Sequence, residues 1–189
     1  MELETARNLL AFPLQDEGAE LSRRMFLFSV FIGLAFVDLR GLRASRIETN
    51  SEGKRYIRKT RQKTEVESLI PLHPIAEQIL ALYTKAQRRG DYKIFPDTMS
   101  DWKLLSHLKA VELACGIRTP LAWHCARHTF GTLTLEAGVP IESIAKMMGH
   151  SSIASTQIYA QVTDQKIAKD MDRLTKKQLS KTSSFSQER

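Results

Sequence analysis

The sequence predicts a mainly helical domain that carries one small three-stranded antiparallel sheet, an α+β fold. Apolar residues recur every three to four positions over most of the chain, which is typical of helices. The segment from Arg46 to Pro71 instead contains short β-prone runs separated by polar turns. With 189 residues, of which 42% are hydrophobic, the chain is long enough for one domain with a substantial core.

The elements follow in order from these patterns. Residues 19–34 predict a core helix, because apolar positions at helical spacing become almost continuous before a turn at Gly33. A short helical turn is expected at "DLRGL". Strands are predicted in "RIETN", "KRYIRKTRQ" and "VESLIPL", and Gly53 in the connecting "NSEGK" suits a hairpin turn. Further helices are predicted at about 73–89, 100–115, 125–137, 140–148, 152–160 and 163–180, before a Ser-rich tail.

Composition and charge exclude some classes of protein. The formal net charge of +7 permits binding to nucleic-acid phosphates without requiring it. The longest apolar run, residues 25–37, is shorter than the roughly 20 residues of a membrane helix, and the acidic N-terminus does not resemble a signal peptide. Cys115 and Cys125 form no CxxC motif, so we expect reduced cysteines in a cytoplasmic protein without a membrane partner.

The segment "WHCARHTFGTLTLEAGVP" (123–140) holds the first candidate site residues. His124 and Arg127 are three positions apart, so on a helix they project to the same side. A guanidinium offers two parallel hydrogen bonds to phosphate oxygens and an imidazole donates another, so the pair suits an anion site. His128 directly follows Arg127, and we expect it to point elsewhere as a partly buried histidine.

The segment "GVPIESIAKMMGHSSIASTQIYA" (138–160) holds the second group. Gly149 is expected to end a helix, which places His150 at its C-terminus and Tyr159 nine residues later on another short helix. A tyrosine hydroxyl, with a pKa of about 10, is a poor nucleophile unless cations stabilise its anion. Taken alone, the stretch also fits a helix end, a serine cap and a core tyrosine.

Together these segments resemble the catalytic domain of the tyrosine recombinases, the phage-integrase family. The resemblance extends back through "MFLFSVFIGLAFVDLRGL" and "RKTRQKTEVESLIPL" and covers about residues 20–165. The variant "GLAF" with "RQKT" is more similar to integrases of mobile elements such as conjugative transposons than to chromosome-dimer resolvases. The matching motifs are H-x-x-R-H-T-F (124–130), A-G-V-P-I-x-x-I (137–144), M-G-H-S-S (148–152) and T-x-x-Y (156–159).

The resemblance implies site-specific DNA strand cleavage and rejoining without metal, ATP or another cofactor. Tyr159 would attack a backbone phosphate, giving a 3′-phosphotyrosine bond and a free 5′-hydroxyl. Arg127, His124 and His150 would stabilise the charge on the phosphate oxygens. Lys63 would protonate the leaving 5′-oxygen, and His124 is the candidate acceptor of the tyrosine proton. The Asp, Glu, Cys and His residues show no metal-ligand spacing.

One position departs from the family pattern T-G-L-R-x-x-D/E-L. In "IGLAFVDL" the arginine position is occupied by Ala35, which cannot bind phosphate. Arg61 is the candidate substitute, since it lies two residues before Lys63 and both side chains would leave one face of a strand. Arg40 and Arg43 are alternatives, because each is near Ala35 in sequence.

Two other functions stay open beside an active recombinase, and Ala35 favours the first of them. One is a catalytically impaired DNA-binding relative of the same fold. The other is a relaxing enzyme of the type IB topoisomerase kind, which uses similar residues without synapsis.

The resemblance also implies an organisation and a set of partners. Residues 1–18 would be a lead-in from a core-binding domain, 19–165 the catalytic domain, and 166–189 a C-terminal helix and flexible tail. The implied partners are double-stranded DNA, other protomers in a synaptic complex that is a tetramer on DNA, and accessory DNA-bending proteins. The implied location is the bacterial cytoplasm, in association with the nucleoid.

Overall fold

The structure is a computed structural model that describes residues 8–60, 65–84, 90–159, 171–172 and 174–176. The chain divides into two compact units, Met1–Tyr159 and Ala160–Arg189. In the second unit the described residues are helical. The candidate site residues that the structure describes all belong to the first unit.

The elements of the first unit alternate between helices and one sheet, as the sequence predicts. A helical turn at residues 8–11 comes before them, and a 3₁₀ turn at Ala44–Arg46 leads into the sheet. In chain order they are α1 (Glu17–Ile32), α2 (Phe36–Arg40), β1 (Ile47–Thr49), β2 (Arg55–Thr60), β3 (Glu67–Pro71), α3 (Pro74–Tyr83), α4 (Asp101–Ala114), α5 (Trp123–Glu136), α6 (Ile141–Met148) and α7 (Ala154–Gln157).

Helix α1 is the centre of the fold. It begins where the Asp16 carboxylate accepts a hydrogen bond from the Ala19 amide, and it ends at Gly33, whose φ of 73° reverses the chain. Most of its residues are buried, Phe26 and Phe28 completely, because α3, α4 and α5 pack around it. A helix that is apolar on almost every side has to lie inside the domain in this way.

The sheet is antiparallel with strand order β1-β2-β3. Ile47 pairs with Ile57, and Ile57 pairs with Ile70, so one face of the sheet carries a row of isoleucines toward the core. The β1–β2 connection is closed by a hydrogen bond from the Asn50 amide to the Lys54 carbonyl, with Gly53 at a φ of 77°. The predicted hairpin is therefore confirmed.

The predicted fold class is confirmed, with adjustments at the ends of helices. Helix α7 covers only Ala154–Gln157, shorter than the predicted 152–160. The Ser152 hydroxyl accepts a hydrogen bond from the Ala154 amide at 3.2 Å at the start of this helix. Helix α3 is described to Tyr83, and residues 85–89 of the predicted helix lie outside the described residues. None of the helices in the described ranges is long and apolar enough to span a lipid bilayer.

Candidate active site

Helix α5 positions the first three candidate residues by its pattern of buried side chains. Trp123, Ala126 and Phe130 face the interior, and the Trp123 ring stacks on Phe36 with centroids 4.4 Å apart. The helical period then places His124 and His128 on the exposed side. Arg127 lies between the two sides.

Arg127 joins the ends of two helices. Arg127 is only 9% exposed, and its guanidinium donates one hydrogen bond to the Gly33 carbonyl and one to the Met148 carbonyl, each at 2.6 Å. Gly33 is the C-cap of α1 and Met148 is the last residue of α6. Carbonyls at helix C-termini carry partial negative charge, so a buried cation is stabilised between them. Ala35 follows Gly33 by two residues, so Arg127 is tied to the segment that lacks the family's first arginine.

His150 is held on both its backbone and its ring. Gly149 ends α6 with a φ of 62°, and the His150 amide then donates to the Ala145 carbonyl, which closes a Schellman turn. Its ring nitrogen Nδ1 lies 2.7 Å from Oγ1 of Thr156 on α7. The geometry therefore fixes the direction of the imidazole and not only its place along the chain.

Tyr159 lies just beyond α7 with its ring packed on α5. Its amide donates to the Thr156 carbonyl at 3.0 Å. Gly131 lies directly under the ring, so close that an added Cβ would be 2.8 Å from ring atoms. The His128 ring meets the Tyr159 ring edge to face, with centroids 5.1 Å apart. The ring of Tyr159 thus packs against α5, the helix that carries Arg127.

The expected direction of the His128 side chain was wrong. It is exposed and points along the same side as His124, with ring centroids 6.1 Å apart, because residues four apart on a helix are neighbours. Partial removal of its ring from water lowers the pKa of His128 below its usual value, and the positive charges of His124 and Arg127 lower it further. Near neutral pH a neutral imidazole therefore lies against Tyr159.

Four predicted site residues thus lie on α5 or on the segments around α7 that pack near it. His124 and Arg127 are on the helix, Tyr159 packs on it, and His150 is linked to Tyr159 through Thr156. His124 also has the Cys125 sulfur 3.7 Å from its Nε2. The arrangement gathers a hydroxyl, a guanidinium and imidazoles, which are the groups that bind and attack a phosphate diester.

The other predicted cations fall into two groups. Lys63 and Arg61 follow β2 in the segment 61–64, which lies outside the described residues. Arg40 and Arg43 are engaged elsewhere. Arg40 pairs with Asp97 at 2.5 Å and also donates to the Met99 carbonyl, and Arg43 pairs with Asp91 at 3.4 Å.

Sequence reasoning missed an ion pair near Ala35, the position that departs from the family pattern. Asp38, at the acidic position of "IGLAFVDL", is buried, and the Lys59 ammonium of β2 lies 3.2 Å from its carboxylate and 3.0 Å from its carbonyl oxygen. Lys59 of β2 and Asp38 of α2 thus connect the sheet to this helix. An acidic residue in an otherwise apolar "FVDL" was the available signal that a cation had to lie nearby.

Within the described ranges, no three His, Cys, Asp or Glu side chains group closely enough to hold a metal ion.

Comparison with known proteins agrees with the sequence resemblance. The model of the phage integrase family matches residues 1–166. The tyrosine recombinase XerD of Listeria monocytogenes is 32% identical over 114 residues, which are 53% of this chain and 38% of that protein. A tyrosine recombinase of Pseudothermotoga lettingae is 28% identical over 167 residues, 84% of this chain and 54% of that protein. The chain thus spans about half, or less, of the length of these curated relatives.

Solved structures show the same fold. The catalytic domain of bacteriophage HP1 integrase superimposes with a TM-score of 0.65 at 19% identity, covering 91% of this chain and 92% of that one. The Tn1549 transposon integrase in complex with transposon right end DNA gives a TM-score of 0.67 at 19% identity, covering 93% of this chain and 65% of that one. Structures similar to the chain thus include a mobile-element integrase, the group the sequence resembles.

Proposed function

The chain belongs to the phage integrase family of tyrosine recombinases, and we propose that it cleaves and rejoins DNA strands at specific sites through a 3′-phosphotyrosine intermediate. The Tyr159 oxygen bonds to a backbone phosphorus while the bond to the 5′-oxygen breaks, and that oxygen leaves with a proton as a 5′-hydroxyl. A 5′-hydroxyl of another strand then attacks the phosphotyrosine and releases the tyrosine. Each step exchanges one phosphate ester bond for another, so the bond energy is retained and the proposed reaction needs no ATP.

The observation that carries the proposal is the packing of Tyr159 on the helix that holds Arg127. Arg127 and His150 supply hydrogen-bond donors for the charge that develops on the phosphate oxygens. His124 is the exposed imidazole on the same helix and is the proposed acceptor of the tyrosine proton. Lys63 is the proposed general acid on the leaving oxygen.

The missing first arginine favours Arg61 as its replacement. Arg40 and Arg43 are each paired with acidic side chains, so recruiting either to a phosphate would break existing ion pairs. Ala35 is the N-cap residue of α2, and its methyl side chain offers no group that could bind a phosphate. Arg61 comes two residues before Lys63 in sequence, and we propose that its side chain supplies the second cation at the same phosphate.

The proposed setting follows from the relatives. A Tn1549 integrase structure contains transposon DNA. We propose double-stranded DNA, further protomers in a tetrameric synaptic complex, and accessory bending proteins as partners. Residues 1–18, 19–165 and 166–189 are proposed as lead-in, catalytic domain and C-terminal segment. The two relatives named above are bacterial, and we propose action in the bacterial cytoplasm on nucleoid DNA.

The experiment that tests the proposal traps the covalent intermediate. A library of nicked duplexes with randomised sequence is incubated with the chain, and DNA that migrates with the denatured protein is recovered and sequenced. Wild-type protein is expected to yield adducts that share one sequence, while Tyr159→Phe yields none. Tyr56→Phe, on β2, is the matched control and is expected to retain the adduct. A wild-type adduct that persists in Tyr159→Phe would disprove the assignment of the nucleophile.

A second candidate, a DNA-binding relative without chemistry, is favoured by one observation, namely Ala35 in place of the arginine. The same library separates the two functions. Sequence-selective retention of intact duplex with no covalent product in any metal-free buffer would favour the binding protein. Adducts without shared sequence, together with relaxation of supercoiled plasmid, would instead favour an enzyme of the type IB topoisomerase kind.

A further inference from the structure

Thr156 is a buried hydroxyl between the two proposed catalytic residues of the C-terminal half. The residue is only 1% exposed, and its Oγ1 lies 2.7 Å from Nδ1 of His150. Its backbone carbonyl accepts the Tyr159 amide at 3.0 Å. One residue therefore fixes both the ring of His150 and the start of the segment that carries Tyr159.

The direction of the hydrogen bond decides what His150 can do. A neutral imidazole carries one proton, and the nitrogen without it accepts. Across the described part of the chain, the Thr156 hydroxyl has no hydrogen-bond partner other than His150. Because a buried hydroxyl proton needs an acceptor, the arrangement that satisfies Thr156 has its O–H donating to Nδ1. The proton of His150 then resides on Nε2.

We propose that Thr156 is a positioning residue that holds His150 in the Nε2–H tautomer, with Nε2 as the donor to the phosphate. The inference rests on the proposed function, since it concerns how His150 serves the same reaction. An imidazole protonated on Nδ1 would present a lone pair at Nε2 and would repel a phosphate oxygen. Thr156 thus selects the tautomer that can stabilise the developing charge.

If Thr156 acted only through packing, the shape of its side chain would matter and its hydroxyl would not. Valine has nearly the shape of threonine, so Thr156→Val removes the hydroxyl while the space at this buried position stays filled. Thr156→Ser retains the hydroxyl and loses one methyl group. Function that follows the hydroxyl therefore separates tautomer control from packing.

The test has two independent arms. In the first, adduct formation on the selected DNA is timed at saturating enzyme for Thr156→Val, Thr156→Ser and the control Thr129→Val. Thr129 is also 1% exposed, but its hydroxyl donates to the Cys125 carbonyl. We expect Thr156→Val to be slower by roughly 10- to 100-fold with unchanged DNA affinity, and the other two to stay within about threefold.

In the second arm, ¹⁵N chemical shifts of the His150 ring are read by NMR in the uncomplexed chain at mildly alkaline pH, where imidazole is neutral. The wild type and Thr156→Ser are expected to show a protonated Nε2, and Thr156→Val a mixture of tautomers. A protonated Nδ1 in the wild type, or wild-type cleavage by Thr156→Val, overturns the inference. Absence of any wild-type adduct defeats the proposed function instead, and the NMR arm still decides the tautomer.

Discussion

The ring of Tyr159 lies against the bare backbone of Gly131, where an added Cβ would be 2.8 Å from both Cδ2 and Cε2 of the ring. Glycine within a helix costs about 1 kcal/mol relative to alanine. At this position the absence of a side chain gives the ring its place on α5. The contact joins residues 28 positions apart and sets the distance of the tyrosine from Arg127.

Substitutions of Gly131 should therefore slow adduct formation more as the introduced side chain becomes larger. Gly131→Leu fills the place of the ring, and we expect adduct formation to slow by about 100-fold, since a misplacement of about 1 Å can have that effect. Gly131→Ala adds one atom and gains helix propensity, so it should keep its stability and show a smaller loss. The measurement is the rate of covalent adduct formation, with circular dichroism as the folding control. Equal rates for Gly131→Leu and wild type would contradict the geometry.

Arg127 should prove as important for folding as for chemistry. Arg127→Ala leaves the Gly33 and Met148 carbonyls without this donor, and we expect the free energy of unfolding to fall by about 2–5 kcal/mol. Urea unfolding measures the change. Arg46→Ala, an exposed arginine in the 3₁₀ turn, should change it by no more than about 0.5 kcal/mol. Coincident urea curves for the two variants would refute a structural role for Arg127.

Lys63 should accelerate DNA cleavage only when the leaving group is an oxygen that needs a proton. Lys63→Met is expected to slow cleavage of ordinary DNA by roughly 10²- to 10⁴-fold. DNA in which sulfur replaces the bridging 5′-oxygen releases a thiolate, which leaves without protonation, and its cleavage should be nearly the same in wild type and variant. Loss of cleavage on both substrates would assign Lys63 to phosphate binding instead.

Arg61 and Arg40 should respond in opposite ways to removal. Arg61→Ala is expected to slow cleavage by about 100-fold or more with little change in stability, if it replaces the family's arginine at Ala35. Arg40→Ala should lower the free energy of unfolding, mainly because the Met99 carbonyl loses its donor, since the exposed Asp97 keeps Lys93 as a partner. Full cleavage of a nicked trapping substrate by Arg61→Ala would exclude it as the replacement.

Acid should destabilise the domain through His128. The pKa of His128 is lower in the folded chain than the ordinary value near 6.5, so the unfolded state binds the proton more readily. Its contribution is therefore present at neutral pH and is lost as the pH falls below about 6.5. Urea unfolding at about pH 7.5 and about pH 5.5 should show a smaller loss for His128→Phe than for wild type.

His73 provides the internal reference for that measurement. Burial lowers its pKa as well, and its ring stacks on Phe31 with centroids 4.7 Å apart. Its contribution is the same in wild type and in His128→Phe, so it cancels in the difference between them. An identical acid sensitivity of the two proteins would show that the His128 ring is not shielded by Tyr159.

The elements of this fold could be predicted because they depend on local patterns. The apolar spacing of Trp123, Ala126 and Phe130 specifies both helix α5 and its buried side, and Gly53 with its polar neighbours specifies the β1–β2 hairpin. The family resemblance is confirmed by the matching family model. The catalytic roles stay predictions, since they concern a reaction and not a position.

The contacts within the site could not be predicted, because they join segments far apart in sequence. Gly131 reads as an ordinary helical glycine until Tyr159 is placed on it. The direction of Arg40 depends on Asp97, which lies 57 residues later. The direction of His128 was wrongly predicted from its position next to Arg127, since neighbouring residues on a helix point in different directions. Its spacing of four from His124 decides the direction instead, because residues four apart lie on the same side of a helix.

The hydrogen bonds of Arg127 have a consequence for how such a domain would decay. A lineage released from selection for strand transfer would still need a folded chain, and the carbonyls of Gly33 and Met148 would still require a donor. Purifying selection would then retain Arg127 long after exposed His124 had drifted. Under the proposed roles, the persistence of this arginine among homologues would record foldability, and the joint persistence of His124 and Tyr159 would record activity.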